Sequence, residues 1–418
     1  MNEVTRSADE VSRRFSQLED FVRSRAQAMI QRILEEEVEE LLRRLKSERR
    51  TAKNPSGYRN GYGRERRLST SVGTIAIRRP RVRDTQGHFV SRVLPLFTRR
   101  TAEVGDTLPK LYLHGLALGD FELALRGLLG DGAPLSASSI ARMRAVWLAE
   151  FATWRQRPLD AAQVVYLWVD GIHVKAGLEK DKAALLVVIA GLSDGRKEVI
   201  AVDAGHRESE TAWSSLLRDL KKRGMVCPRL VVGDGALGIW AALNNVYPQA
   251  EQQRCWNHRR RNVLDCVGKK KQPEAKELLT KVMYAETEKK VVECKRVFQQ
   301  WAREQQYDKA AERIEQDWER MVAYYSLPKE HWLHLRTSNI IESPFASIRL
   351  RTTAAKRFKK VEGATAMIWK LLMVAEQTFR KLNAPELLAK VYVGHTYKDG
   401  VQGSSDEHHV IRDYKMAV

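Results

Sequence analysis

The stretches VVYLWVDG, residues 164–171, and LVVGDG, residues 230–235, decide the fold of this sequence. Each is a short apolar run rich in β-branched or aromatic residues, which is typical of a strand buried at the centre of a sheet. Each run ends in Asp-Gly, so Asp170 and Asp234 lie where a strand is expected to end. An acid at that position leaves the core while a rigid backbone still fixes its direction. We therefore expect the two aspartates to belong to one sheet and one site.

Further strand and helix patterns surround these two runs. Strand, strand, strand, helix, strand and helix follow one another at residues 164–169, 183–191, 198–202, 209–223, 230–233 and 236–246. This is the order of an RNase H-like fold, an α/β core in which helices flank a mixed sheet. We assign residues 161–258 to the first part of this core.

The chain after this core is mostly helical. Residues 258–328 are polar, heavily charged and poor in strand signals, so we assign residues 259–335 to an all-helical insertion. Helical patterns resume from Asn339, and residues 336–394 are assigned to the second part of the core. Residues 395–418 are polar and are expected to form a flexible tail.

The composition favours a nucleic-acid partner. The 418 residues are enough for two to four structural units. Lys and Arg number 72 against 52 Asp and Glu, a net charge of +20, and neutralising DNA phosphates releases bound counterions. A membrane surface is not expected as the partner, because the chain has neither an apolar run of about 18 residues nor a signal-peptide core. The four cysteines form no Cys-x-x-Cys pair and indicate reduced thiols in the cytoplasm.

The N-terminal part contains two different patterns. Apolar residues at three-or-four spacing predict a helix over residues 10–50, within a region assigned to residues 1–53. Such a helix packs either on its own domain or against a second copy of the chain, and the pattern does not choose between them. Glycines are expected to keep residues 57–63 in a loop, and residues 69–77 are strand-like.

Residues 54–104 form an arginine-rich, β-containing segment. Between Arg59 and Arg83 there are eight arginines and a single acid, Glu65, interleaved with tyrosines and glycines. A solvated charged face is one interpretation, but we favour DNA contact because Arg suits bidentate contact with phosphate or guanine. The residues that we expect to contact DNA here are Arg59, Asn60, Arg64, Arg66, Arg67, Arg78, Arg79 and Arg81.

Residues 105–160 are predicted to be helical. Residues 135–140 resemble a loop and helix N-cap, and the helix that follows reaches Trp147. With the helix before it, this segment is either a DNA-binding helix-turn-helix or an ordinary helical hairpin.

The two strand-end aspartates suit a divalent cation. Mg²⁺ prefers carboxylate oxygens, and two such acids with a third can hold two ions roughly 3.5–4 Å apart. Asp-Gly is also ordinary turn chemistry, but two copies in one sheet of a basic chain favour the site. Beyond the first aspartate, His173 and Lys175 are either contacts to the scissile phosphate or merely solvated.

The third acid is expected after the helical insertion. Glu342 lies near the start of a helix beside hydroxyl and amide side chains, and the basic run that contains Arg349 and Arg351 follows it. A carboxylate beside such a run fits an enzyme that holds phosphates at its metals. Cys255 and His258 have a ligand-like Cys-x-x-His spacing, but no second pair supplies the four ligands of a structural zinc. We therefore expect no zinc and a packed cysteine with a hydrogen-bonded histidine near the active site.

At these residues the sequence resembles the bacterial Mutator-type insertion-sequence transposases, a family with an Asp-Asp-Glu triad. The matching blocks are residues 57–62 (GYRNGY), 72–75 (VGTI), 169–171 (VDG), 233–235 (GDG), 253–258 (QRCWNH) and 337–343 (TSNIIES). They occur in order over nearly the whole chain.

The resemblance implies an RNase H-like core with a helical insertion, dependence on Mg²⁺, for which Mn²⁺ can substitute, and binding to terminal inverted repeats. It implies Asp170, Asp234 and Glu342 as the catalytic and metal-binding triad. It also implies Cys255 and His258 as the family's Cys-x-x-His pair, which with Asn339 is expected to support the site. Family members act on double-stranded DNA as homodimers in the bacterial cytoplasm, associated with the nucleoid.

The expected reaction is a pair of in-line phosphoryl transfers, cleavage at the element's end followed by attack of the freed 3′ hydroxyl on target DNA. Two other functions remain open at this point. A catalytically silent regulator would bind DNA without cleaving it, and a nuclease with the same core would cleave without joining.

Overall fold

The computed structural model describes residues 3–51, 57–85, 89–95, 97–113, 116, 123–124, 126, 129, 137–177, 182–205, 207–235 and 237–403. For residues 3–17, 137–141 and 237 it describes the backbone alone. The chain divides into two compact units, residues 1–143 and 144–418.

The first unit contains a long helix and a β-hairpin. Its elements are α1 (Glu3–Leu42), β1 (Tyr58–Thr70), β2 (Gly73–Arg83), α2 (Ala102–Leu113) and the start of α3 (Ala137–Trp154). The apolar stripe of α1 packs on one face of the hairpin through a core of Leu34, Leu68, Ile75, Ile77 and Leu94. The helix that we predicted over residues 10–50 therefore ends earlier, at Leu42, where Arg43 takes a left-handed backbone with φ 50°.

The hairpin corrects one prediction about the glycine-rich segment. Residues 57–63 were expected to be a loop, but β1 already begins at Tyr58 and pairs antiparallel with β2. Register shifts flank Tyr62, so irregularities in the ladder accommodate these glycines without ending the strand. Of the strand predicted over residues 69–77, residues 73–77 lie in β2, residues 69–70 end β1, and residues 71–72 form the turn between them. The centre of the predicted helix-turn-helix, residues 130–136, lies outside the described residues.

The second unit is built on a five-stranded mixed sheet. Its strands are β3 (Val164–Val174), β4 (Ala183–Leu192), β5 (Lys197–Gly205), β6 (Leu230–Gly233) and β7 (Glu251–Arg254). They lie in the order β5-β4-β3-β6-β7, with β3, β4 and β5 antiparallel and β6 and β7 parallel to β3. The predicted mixed sheet with flanking helices is confirmed. Strand β7 was missed, because its sequence Glu-Gln-Gln-Arg has no apolar pattern.

Helices cover both faces of this sheet. On one face, α4 (Glu210–Lys222) and α5 (Leu237–Val246) pack against alternate residues of β3 such as Leu167 and Val169. On the other face, Tyr166 Oη lies 2.9 Å from His331 Nδ1, and Trp168 Nε1 donates to the His334 carbonyl at 3.0 Å. Side chains along a strand alternate between the two faces of the sheet. Asp170 therefore lies on the same face as Tyr166 and Trp168, whereas Gly171 lies on the same face as Leu167 and Val169.

The chain after β7 is helical until close to its end. The helices are α6 (Trp256–Leu264), α7 (Gln272–Met283), α8 (Glu288–Glu304), α9 (Asp308–Glu315), α10 (Trp318–Val322), α11 (Trp332–Leu335), α12 (Asn339–Ala355), α13 (Val361–Glu376) and α14 (Pro385–Tyr392). Strands β8 (Tyr397–Lys398) and β9 (Val401–Gln402) then form a small hairpin. Ordered structure therefore extends past residue 395, where we expected a flexible tail to begin. Residues 404–418 lie outside the described part.

Candidate functional site: an acidic cluster at the end of the central strands

Three carboxylates meet where the two central strands of the second unit separate. One oxygen each of Asp170, Glu208 and Asp234 lies within 4.8 Å of the others. Asp234 is the residue after β6, as the sequence predicted, and Glu208 lies two residues before α4. The structure thus brings together both predicted aspartates and adds a glutamate that the sequence did not single out.

Asp170 occupies a different position in its strand from the one predicted. We expected the strand to end at Val169, but β3 continues to Val174, and Asp170 pairs with Val187 of β4. What ends near this point is the parallel pairing with β6, whose last pair is Trp168 with Val232. Asp170 therefore lies beyond the edge that β6 covers, while β4 keeps its backbone rigid.

The environment of Asp170 disfavours its charge. Burial raises the pKa of Asp170 to about 7, and the neighbouring Asp234 carboxylate acts in the same direction. The Gly171 N–H, which donates to Asp170 Oδ1 at 2.8 Å, opposes this shift. Burial and Asp234 also raise the pKa of Glu208. Such a cluster favours a bound cation, which would compensate the like charges.

Glu342 lies in the first turn of α12, close to the predicted Cys-x-x-His pair. Ligand atoms of Cys255, His258 and Glu342 lie within 4.8 Å of one another, and His258 Nδ1 is 3.7 Å from Glu342 Oε1. The Ser338 hydroxyl donates to the same Glu342 oxygen. The charge of Glu342 also acts on Asp170, so the third predicted acid lies near the cluster but is not one of its three closest members.

Cys255 connects the segments that carry Asp234 and Glu342. Its N–H donates to the Gly233 carbonyl at 2.8 Å, and its buried Sγ accepts from the Ser338 N–H at 3.3 Å. Burial acts to raise the pKa of Cys255, but its interactions with His258 and Ser338 lower it overall. The interaction with Cys255 raises the pKa of His258 to about 9. This set offers three donors, one fewer than a structural zinc uses.

Asn339 makes a second link between α6 and α12. Its Oδ1 accepts from Asn257 Nδ2 at 3.0 Å, and its side chain is exposed at the start of α12.

A buried ion-pair network links the helical region to the cluster. Asp317 accepts hydrogen bonds from Arg254 and, at 3.0 Å, from Arg259, which is 1% exposed. Burial and the neighbouring Arg254 lower the pKa of Arg259 to about 10, so it remains charged at neutral pH. A Cβ on Gly235 would lie 2.2 Å from Arg254 Nε, which places that guanidinium directly beside the residue that follows Asp234.

A basic cavity of about 740 Å³ opens beside Glu342, between α6 and α7. Its lining contains four cations that form no ion pair within the described part of the chain: Arg260, Arg261, Lys269 and Lys276. These four residues were not among the DNA contacts that we expected from the sequence. Their spacing over two helices and a connecting turn, residues 256–283, does not by itself show that they share a surface.

The predicted DNA contacts of the second unit differ in exposure. Lys175 and Arg349 are exposed, and His173 Nε2 lies 3.1 Å from Glu208 Oε1. Arg351 is 2% exposed, because it continues the inward stripe of α12 that contains Phe345 and Ile348. The burial of this side chain therefore does not support the predicted contact between Arg351 and DNA.

The arginines of the hairpin in the first unit also fall into two groups. Arg59 forms an ion pair with Glu35 at 2.7 Å, Arg66 donates to the carbonyls of Pro95 and Thr98, and Arg79 donates to the Phe89 carbonyl. These three have structural contacts. Arg78 lies 3.6 Å from Glu65, and Asn60 is partly exposed. Among the DNA contacts that we predicted in the hairpin, the exposed arginines without an ion pair to another described residue are Arg64, Arg67 and Arg81.

A mixed α/β sheet with carboxylates clustered at the end of its central strands defines a class of site suited to a hard divalent cation. The family profile described as "Transposase, Mutator family" matches residues 2–381, so the chain belongs to the Mutator family of transposases.

Relatives of this chain are transposases of bacterial insertion sequences. The chain is 43% identical over 297 residues to the transposase for insertion sequence element IS6120 of Mycolicibacterium smegmatis, covering 71% of this chain and 92% of the relative. It is 36% identical over 280 residues to the transposase for element IST2 of Acidithiobacillus ferrooxidans, covering 66% and 94% respectively. It is 29% identical over 371 residues to the transposase for element ISRM5 of Rhizobium meliloti, covering 87% and 90%.

Membership of this family confirms the predicted resemblance. Transposases of this kind are metal-dependent, and the family implies an enzyme that binds DNA. None of the helices in the described part of the chain is both long and apolar enough to cross a membrane.

Proposed function

We propose that this protein binds the terminal inverted repeats of an insertion sequence and catalyses metal-dependent DNA strand cleavage and strand transfer. The observation that carries this proposal is the meeting of Asp170, which lies in β3 just beyond its pairing with β6, and Asp234, which follows β6, with oxygens within 4.8 Å. In this proposal the sheet belongs to an RNase H-like core, residues 161–258 and 336–394, which residues 259–335 interrupt as a helical insertion.

Asp170, Asp234 and Glu342 are the proposed catalytic and metal-binding residues. The donor set consists of carboxylate oxygens, which fits Mg²⁺ or, in its place, Mn²⁺. Divalent ions bound there supply the Lewis acidity and charge compensation that phosphoryl transfer requires. The chain's own contribution is to hold the acids rigidly, Asp170 on a paired strand and Glu342 in the first turn of α12.

Cys255 and His258 are proposed to position Glu342. The Cys255 sulfur fixes the backbone at Ser338, and the Ser338 hydroxyl in turn donates to Glu342. His258, which belongs to α6, places its Nδ1 3.7 Å from the same carboxylate. Asn339 reinforces the connection through Asn257, so α12 enters the site at a defined position.

The DNA is proposed to bind through exposed cations. In the second unit the cations of the cavity beside Glu342, together with Lys175 and Arg349, lie on the surface where phosphates could reach them. In the first unit the exposed arginines of the hairpin have the same character. We further propose that the chain acts as a homodimer, for which the long α1 offers exposed apolar residues such as Phe21 and Met29.

The test is a Mg²⁺-dependent strand-transfer assay on the element's own ends. Glu342→Gln is expected to reduce joining more than about 100-fold. Removing a residue that only supports a metal ligand typically costs about 10- to 100-fold in activity, and removing the ligand itself should cost more. Glu362→Gln removes an exposed acid of the next helix and is the matched control. End binding, measured in parallel, should be retained in both variants.

The outcomes separate the competing functions. Unchanged joining by Glu342→Gln would place the third carboxylate elsewhere. Cleaved ends without joined product from the wild-type protein would favour a nuclease. Binding of the ends without any metal-dependent cleavage would favour a DNA-binding regulator.

A further inference from the structure

Glu208 has an unusual position for an acidic side chain. Its carboxylate lies in the cluster with Asp170 and Asp234, which both carry the same charge. Its only ion-pair partner in the described chain is His173, whose Nε2 lies 3.1 Å from Glu208 Oε1 and whose side chain is 48% exposed. An ordinary structural ion pair does not bring a glutamate within 4.8 Å of two further acids, because their charges disfavour its own.

The backbone is arranged to bring Glu208 to this place. Arg207, directly before it, has a left-handed backbone with φ 61°, a conformation that is unfavourable for a residue with a side chain. Ser209, directly after it, caps α4 by accepting from the Ala212 N–H. The carboxylate is thereby held between a strained turn and a fixed helix end, which restricts its possible positions.

Two glycines make room for Glu208. A Cβ on Gly171 would lie 2.2 Å from Glu208 Oε1, and a Cβ on Gly238 would lie 2.4 Å from the Glu208 carbonyl. Gly171 lies inside β3, where a glycine weakens a strand relative to alanine. The carboxylate occupies the space that a side chain at residue 171 would fill.

We propose that Glu208 is a fourth carboxylate of the metal site, binding the same divalent cations as Asp170 and Asp234. This inference rests on the proposed function and extends it to a residue outside the Asp-Asp-Glu triad. Three acids can hold two ions when water completes the near-octahedral coordination of Mg²⁺, and a fourth carboxylate would take the place of one such water. A ligand from the turn before α4 would approach from the face of the sheet on which Gly171 lies.

The experiment measures metal binding directly, without turnover. Mn²⁺ is titrated into the full-length protein, and the free ion is followed by its electron paramagnetic resonance signal. Glu208→Gln is expected to weaken Mn²⁺ binding at least about 10-fold or to remove one of two bound ions. Glu210→Gln, which removes an exposed acid in the first turn of α4, should bind within about twofold of wild type by the same measure.

A second variant displaces the carboxylate without removing it. Gly171→Ala introduces a methyl group that meets the flexible end of Glu208, so it should weaken Mn²⁺ binding in the same direction. Thermal unfolding in EDTA distinguishes a ligand from a structural partner of His173. Removing one of three like charges should leave the metal-free protein equally or more stable, whereas loss of a structural ion pair should lower its melting temperature.

The results also separate this inference from the proposed function. If Asp170→Asn weakens Mn²⁺ binding and Glu208→Gln does not, Glu208 is not a ligand and the proposed function stands. If neither variant changes Mn²⁺ binding, the metal site itself is wrongly placed. Loss of binding in both variants, with an unchanged Glu210→Gln control, supports the four-carboxylate site.

Discussion

The stability of the second unit should depend strongly on Asp317. Its carboxylate compensates three guanidinium groups, those of Arg259 at 1% exposure, Arg254 at 12% and Arg320 at 30%. Removing one partner of a buried ion pair costs about 3–5 kcal/mol, because it leaves the other charge unpaired. Asp317 itself is 27% exposed, so water can partly replace it. We therefore expect Asp317→Asn to lower the free energy of unfolding by about 2–4 kcal/mol.

Asparagine is the appropriate replacement at this position. Asp317 has a left-handed backbone with φ 55°, which Asn adopts almost as readily, so the change removes charge without adding backbone strain. Urea unfolding followed by tryptophan fluorescence suits the measurement. Trp256 and Trp318 lie beside the network, with ring centroids 6.2 Å apart.

Glu312→Gln is the matched control, because Glu312 is an exposed acid on the neighbouring helix α9. Its unfolding free energy should stay within about 0.5 kcal/mol of wild type. A loss below about 1 kcal/mol for Asp317→Asn would contradict this prediction, because it would mean that other groups compensate the charges of the arginines. Asp317→Glu, which keeps the charge, should recover part of the loss.

Two further predictions concern metal and DNA binding. In the proposed metal site Asp170 must lose its proton to bind the ion, and its pKa is raised to about 7. Apparent Mn²⁺ affinity should therefore fall by about tenfold between pH 8 and pH 6. Equal affinity at both pH values, measured by calorimetry, would contradict this. Replacing the three exposed hairpin arginines, Arg64, Arg67 and Arg81, by alanine should reduce the salt dependence of DNA binding by up to about 2.7 in log–log slope. Arg59→Ala, in contrast, should mainly destabilise the first unit, since Arg59 is paired with Glu35. Fluorescence anisotropy at several salt concentrations, with equal slopes for the triple variant and wild type, would exclude the hairpin as a DNA contact.

Much of the sheet could be predicted because its central strands are apolar on both faces. The runs that contain Val169 and Val232 have no other stable environment than the middle of a sheet, and the sequence places an aspartate after each. The extent of β3 could not be predicted, because residues beyond Asp170 stay in the sheet only through their pairing with β4. Strand β7 depends on long-range contacts too, such as Gln253 accepting from the Tyr324 N–H at 3.1 Å.

The site was predictable only where a local pattern marked it. Asp170 and Asp234 follow apolar runs, but nothing in the sequence around Glu208 distinguishes it from the many solvated glutamates at helix starts. Glu208 could be recognised only from the packing of α4 on β3, which is a property of the fold. The burial of Arg351 was likewise hidden by the basic run around it, although its spacing of three from Ile348 is that of an inward-facing helical residue.

The mutual contact of Gly171 and Glu208 also bears on how the sequence can diverge. An alanine at residue 171 would have to displace the Glu208 carboxylate, whereas a shorter residue at 208 would leave space for a side chain on the strand. The two positions, 37 residues apart along the chain, should therefore change together among relatives. A lineage that has lost the glutamate should also have lost its need for the glycine.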